Sequence, residues 1–139
     1  MSPGRLAAEK AILAKNFPTF RWSGDGLVVD GTLHTNRGRE YRVRLDSLLG
    51  YPSAMPRVLV TAPTLYTRDG RPMWEVGTSA KMHTLTPLGT WVQVCHGRGD
   101  RWETRDTLYL AVLKARLWLE AYEYHLDTGE PLDRWLSHQ

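Results

Sequence analysis

The stretch WVQVCHGRGDRW, residues 91–102, carries the only cysteine in a chain of 139 residues. Trp91-Val92-Gln93-Val94 reads as a short strand that delivers Cys95 into a run of glycines and charges. His96, Arg98 and Arg101 lie within six positions of the thiol. Cations beside a thiol favour the thiolate, which is the nucleophilic form. Gly97 and Gly99 keep the backbone open, so that another chain could approach closely. A lone cysteine is equally a common small core residue. The residues alone leave both readings open: a buried thiol at a strand end, or a nucleophile within reach of a reactant.

Other familiar chemistries lack their residues. There is no CxxC or HExxH pattern, and one cysteine with scattered histidines argues against a structural zinc site. No GxSxG elbow occurs. GRGDR has glycines but no following Gly-Lys-Ser/Thr, so it is not a phosphate loop. RGREYRVR gathers Arg37, Arg39, Arg42 and Arg44 around Tyr41. That pattern reads as a solvated strand face, with an RNA-binding strand as the alternative. A net charge of +3, spread along the chain, does not by itself call for nucleic acid.

The elements that must position Cys95 follow from periodicity. Residues 3–16 read as a helix, with Pro3 in its first turn and Leu6, Leu13 and Phe17 on one face, widened by Ala8 and Ile12. Arg5, Lys10 and Lys15 give it a basic outer side. LVVDGTLH and EYRVRLD alternate apolar and polar residues and form a hairpin through TNRGR. RVLVTAP is a third strand after a proline-rich loop, LLGYPSAMP. Residues 64–90 read as a long, semi-ordered connection, with a fourth strand near Met73–Val76 or Trp91–Val94. Leu108, Val112, Ala115, Leu119, Tyr122 and Leu126 then mark a long helix, broadened by Leu113 and Leu117. Asp106 or Thr104 is the expected cap, Gly129 and Pro131 the stop, and LDRWLSHQ a final helical turn. Trp91 and Trp118 read as core. With 42% hydrophobic and 24% charged residues, a single globular domain over 1–139 is expected. No apolar run reaches the length of a membrane span, and the N-terminus lacks the pattern of a secretory signal. With one cysteine, the cytoplasm is the expected compartment.

In its order of elements the chain resembles the ubiquitin-conjugating (UBC) family. YPSAMP, Tyr51 to Pro56, is similar to the tyrosine-proline…proline stretch after that family's second strand. MHTLTPLGTWVQVC is similar to the histidine-led loop that runs up to the catalytic cysteine, and Trp102 stands where the family has a tryptophan. The helix RDTLYLAVLKARLWLEAYEYHLDTGEPLD resembles the bacterial UBC-like proteins of antiphage operons, of Bil or CBASS type, more than the eukaryotic enzymes. The likeness runs from about residue 26 onward. Two features depart from the eukaryotic motif. His83 is followed by Thr84 and Leu85 instead of proline and asparagine, and Cys95 comes twelve residues on instead of about ten. The only asparagines are Asn16 and Asn36, so the usual oxyanion donor is missing. Backbone amides of the glycine loop, or Gln93, are the substitutes to consider.

The resemblance implies an α+β UBC-like fold: N-terminal helix, antiparallel meander, cysteine loop and C-terminal helices. It implies that Cys95 accepts a ubiquitin-like protein, or the C-terminus of a nucleotidyltransferase, as a thioester from an activating enzyme and passes it to a target amine. ATP would be used by the activating partner; no metal or small cofactor is implied, and no membrane. His83 would pin the loop or act as a base, and Asp100 would orient or deprotonate the incoming amine. Trp102 would pack beneath the loop. Arg5, Lys10 and Lys15 would face the activating enzyme, unless they are only a solvated side of the helix. The reading of another class is a noncatalytic UBC-like or RNA-binding module.

Overall fold

The computed structural model describes residues 1–97 and 102–136. Along the chain run helix α1 (Pro3–Asn16) and strands β1 (Arg21–Trp22), β2 (Val29–His34), β3 (Glu40–Asp46) and β4 (Arg57–Ala62). A 3-10 turn at Met73–Glu75 precedes strands β5 (Thr84–Leu88) and β6 (Trp91–Val94). Helix α2 (Leu108–Thr128) and a second 3-10 turn at Leu132–Arg134 complete the fold. The strands make one antiparallel sheet in the order β1-β2-β3-β4-β6-β5. The protein is therefore α+β, with an N-terminal helix, a six-stranded antiparallel sheet and a C-terminal helix. Among the described residues no helix is long and apolar enough to cross a membrane.

Strand alternation does what it should. Tyr41, Val43 and Leu45 of β3 are buried opposite Leu33, Gly31 and Val29 of β2. Gly31 is required there, because a Cβ would sit 2.3 Å from the ring of Phe20. Val58 and Val60 of β4 and Val92 and Val94 of β6 continue the apolar face. Helix α2 covers it with Leu108, Val112, Ala115, Leu119 and Tyr122, all buried. Four expectations fail locally. Leu117 does not broaden the apolar stripe; it is 57% exposed, and Ala111, Trp118 and Ala121 are buried instead. The α2 cap is Thr107, whose Oγ1 accepts from Leu110 N–H at 3.2 Å, while Asp106 accepts from Glu103 N–H. The 64–90 connection holds a 3-10 turn and strand β5, with Thr84 and Leu85 paired to β6. Trp91 lies on the face opposite Val92, half-buried, with the Arg44 guanidinium 4.9 Å from its ring centre.

Helix α1 buries Glu9 and Leu13, and leaves Ala8 exposed. A buried carboxylate needs partners, and Glu9 has three. Its Oε1 accepts from Arg5 Nε at 2.9 Å and from the Tyr51 hydroxyl at 2.7 Å; its Oε2 accepts from Leu108 N–H at 3.0 Å. Leu108 is the first residue of α2, where backbone N–H groups are unsatisfied and negative charge is favoured. Glu9 thus ties α1 and the Tyr51 loop to the start of the long helix. At the other end of α2, buried Glu123 accepts from the hydroxyls of Tyr41 at 2.7 Å and Thr35 at 3.1 Å. The two carboxylates fix the long helix against the sheet and so fix what it presents to Cys95.

Candidate active site around Cys95

Strand β6 is held between β4 and β5 through Val94, which pairs with Val58 on one side and Thr84 on the other. Cys95 is the next residue, just past the last rung. Its backbone N–H donates to His83 O at 2.8 Å. Its thiol is free and half-buried, and donates to Gly97 O at 3.4 Å. Cys95 lines a cleft of about 170 Å³. His83 and His96 form one wall of that cleft. Lys114, Leu117 and Trp118 of α2 form a second, and Trp135 and Leu136 from the end of the chain form a third.

His83 is 3% exposed and has a φ of 52°. Histidine is among the residues that enter this left-handed region more often than most, yet a side chain there still needs its surroundings to hold it. The surroundings do. Trp118 Nε1 donates to Met82 O at 2.9 Å and to His83 O at 3.1 Å. The His83 ring nitrogen Nε2 lies 3.0 Å from Asp133 Oδ1. An ionised carboxylate only accepts, so Nε2 carries a proton. His83 therefore meets Cys95 through its backbone and Asp133 through its side chain.

His96 is not the cation that its place beside Cys95 suggested. It is 6% exposed, and Nε2–H donates to Pro56 O at 2.8 Å. Burial pushes its pKa below the ordinary histidine value; this outweighs the carbonyl, and nearby Lys114 adds to the downward push. His96 is neutral at pH 7. The described cation in the cleft is Lys114, which the sequence reading did not single out. Arg98, Asp100 and Arg101 lie outside the described residues, so the place of Asp100 near an incoming amine is not described.

Trp102 packs against Pro52, Tyr51 and His96. Its Nε1 donates to Pro52 O at 2.8 Å, and its ring centre lies 6.1 Å from those of both Tyr51 and His96. A second cleft of about 500 Å³ shares His96 and Lys114 with the first and extends along Trp102, Asp106 and Leu110. The oxyanion donor can be narrowed. The Cys95 amide is already bonded to His83 O. Gln93 pairs with Leu59 and Leu85 in mid-strand and is not among the residues lining the Cys95 cleft.

The basic side of α1 divides. Arg5 turns inward: besides Glu9 it donates to the Tyr51 hydroxyl at 2.9 Å and to Asp106 O at 2.8 Å. It is a structural staple, not part of a basic surface. Lys10 and Lys15 stay exposed, Lys10 with its Nζ 5.8 Å from the Trp22 ring centre. The four arginines of RGREYRVR divide as well. Arg37 pairs with Asp127, and Arg44 with Asp30 at 2.8 Å, while Arg39 and Arg42 are exposed. Among the described residues no group of three His, Cys, Asp or Glu side chains is placed to hold a metal ion.

Two residues of the site escaped the sequence reading. Lys114 stands one helical turn before Trp118, and that spacing was the available signal for a face turned to the cysteine loop. Asp133 follows the Gly129–Pro131 stop, and nothing local marks it. Comparison of the chain with family models, with curated proteins and with solved structures gave no match.

Proposed function

We propose that this chain is an acyl carrier like the ubiquitin-conjugating enzymes, of UBC-like fold, working in bacterial antiphage defence. The observation that carries the reading is the setting of Cys95. A half-buried cysteine lines a cleft, and its backbone is bonded to the histidine-led turn that the family resemblance assigns to it. The Cys95 thiolate attacks the carbonyl of a carrier protein held as a thioester by an activating enzyme. A new C–S bond forms, and the activating enzyme's thiolate leaves. A target amine then attacks the Cys95 thioester: a C–N bond forms, the C–S bond breaks, Cys95 leaves as thiolate, and the amine releases its proton. Splitting the transfer in two makes each step easier. Positioning matters more than acid–base force, because thioester exchange is close to neutral in energy. Lys114 lines the cleft, and a cation there favours the negative charge that develops during transfer. The carried group is a ubiquitin-like protein or, in a CBASS-type operon, the C-terminus of the nucleotidyltransferase. The neighbouring genes distinguish these.

The test is a gel assay with the activating enzyme, the carrier and ATP encoded or supplied beside it. The wild-type chain should gain a band that reducing agent removes. Cys95→Ala should lose that band and keep its circular-dichroism spectrum. Conjugation of carrier to target by Cys95→Ala would end this reading. So would a Cys95 that resists alkylation until the protein is unfolded, because a buried structural thiol behaves that way.

A further inference from the structure

The segment after α2 lines one side of the Cys95 cleft with Trp135 and Leu136. After Gly129 stops α2, Pro131 redirects the backbone and Leu132 is fully buried. That anchor brings Asp133 against the turn that holds His83. Two contacts join them. Asp133 N–H donates to Lys81 O at 3.0 Å, and Asp133 Oδ1 accepts from His83 Nε2–H at 3.0 Å. From α2, Trp118 Nε1 donates to the carbonyls of residues 82 and 83. The His83 carbonyl then takes the Cys95 N–H at 2.8 Å. A left-handed residue between these grips is held by its partners, not by its own preference.

We propose that Asp133 is a positioning residue for the chemistry of Cys95. Its carboxylate selects the Nε2–H tautomer and the ring orientation of His83. Together with its own backbone amide on Lys81, it holds the 81–83 turn on which the Cys95 backbone hangs. Asp133 touches neither the thiol nor an acyl carbonyl; it acts through His83. The link to transfer rate rests on the acyl-carrier reading, whereas the placement of Cys95 does not.

The experiment uses the full chain with Asp133→Ala and Asp133→Asn. Asparagine keeps an acceptor oxygen for Nε2–H, and alanine removes it. Four quantities are read: the His83 tautomer by nitrogen-15 NMR, the rate of Cys95 alkylation by iodoacetamide, single-turnover discharge of the Cys95 thioester to free lysine, and the melting temperature. Asp133→Ala should lose the Nε2–H signature, change the alkylation rate, and slow discharge by about tenfold, the scale of a small misplacement of a reacting group. Asp133→Asn should keep the tautomer and most of the discharge rate. The proposal is overturned if Asp133→Ala leaves both the His83 signature and the alkylation rate as in wild type. It is also overturned if Asp133→Asn, with the tautomer kept, discharges as slowly as Asp133→Ala. Should Asp133→Ala show no cooperative melt, the asparagine variant alone decides it, and loss of its tautomer signature would overturn the proposal. If the tautomer and alkylation respond while wild-type protein forms no thioester, positioning by Asp133 stands and the acyl-carrier reading falls.

Discussion

His83 and His96 both stand in the wall of the Cys95 cleft, at 3% and 6% exposure, yet they are held in different ways. His96 is next to the cysteine in sequence and gives its Nε2–H to a neutral carbonyl, that of Pro56. Its ring meets Trp102 edge to face, and its pKa is pushed down by burial. His83 is twelve residues away and gives its Nε2–H to a carboxylate at the protein surface. Its own carbonyl is the partner of the Cys95 amide. The neighbour in sequence is scaffold. The distant residue is the one through which a change elsewhere in the chain can reach the thiol. A cysteine's sequence flank is therefore a poor guide to its electrostatics, because burial decides whether a flanking histidine carries charge.

The largest effect should come from the His83 side. His83→Ala removes the side chain that Asp133 holds and frees a left-handed turn to relax. Discharge of the Cys95 thioester to free lysine should slow by about tenfold to a hundredfold, the range expected when a reacting group is displaced by an ångström or so. His83→Gln keeps a side-chain donor for Asp133 but cannot act as a base near neutral pH. It should keep most of the rate. If His83→Gln is as slow as His83→Ala, and both flatten the pH dependence of the wild type, His83 is a general base and not a holder of the turn.

The next effect falls on stability and on the other histidine. His96→Ala empties a buried site and leaves the Pro56 carbonyl without its donor. The expected cost is about 2 to 4 kcal/mol in urea unfolding, from lost packing plus an orphaned acceptor. The discharge rate at a temperature where the variant is folded should stay within a few-fold of wild type. A His96→Ala protein that unfolds at the wild-type urea midpoint but no longer discharges would reverse the roles of the two histidines.

Much of the frame is legible in the sequence because it is written in a period. Tyr41, Val43 and Leu45 repeat every second residue, and Leu108, Val112, Ala115 and Leu119 repeat every helical turn. Strand β1 has two residues and no period to read. Strand β5, TLTPL, was hidden by Pro87, which is tolerated there because the strand lies at the sheet edge. The burial of Glu9 has no local signal, because its partners, Tyr51 and Leu108, come from far along the chain. The site shows the same division. Cys95 could be found from its own flank, and His83 through the resemblance of MHTLTPLGTWVQVC to a histidine-led loop. Asp133 could not, since fifty residues separate it from His83 and tertiary packing, with Leu132 buried, brings them together. Nor could the neutrality of His96, which follows from burial and not from residue type.

The smallest effect is also the most specific to the contrast, and it is read in the pH dependence of stability. His96 has a folded pKa below its ordinary value, so the unfolded chain binds a proton there before the folded one does. Above about pH 6.5 neither state is protonated at this residue, and its contribution to stability is fully present. As pH falls below about 6.5 the unfolded state gains the proton first, and stability drops by up to about 1.4 kcal/mol per pH unit until the folded value is reached. Other groups titrate in acid too, so the measurement is a difference. Urea midpoints of wild type and His96→Gln are compared between pH 7.5 and pH 5.5. Glutamine does not titrate, so the variant should be less stable than wild type at the upper pH, and the gap should narrow at the lower. A gap that stays constant across this range would mean that His96 takes up its proton equally well when folded. It would then be able to stand as a cation beside Cys95, and the distinction between the two histidines would be lost.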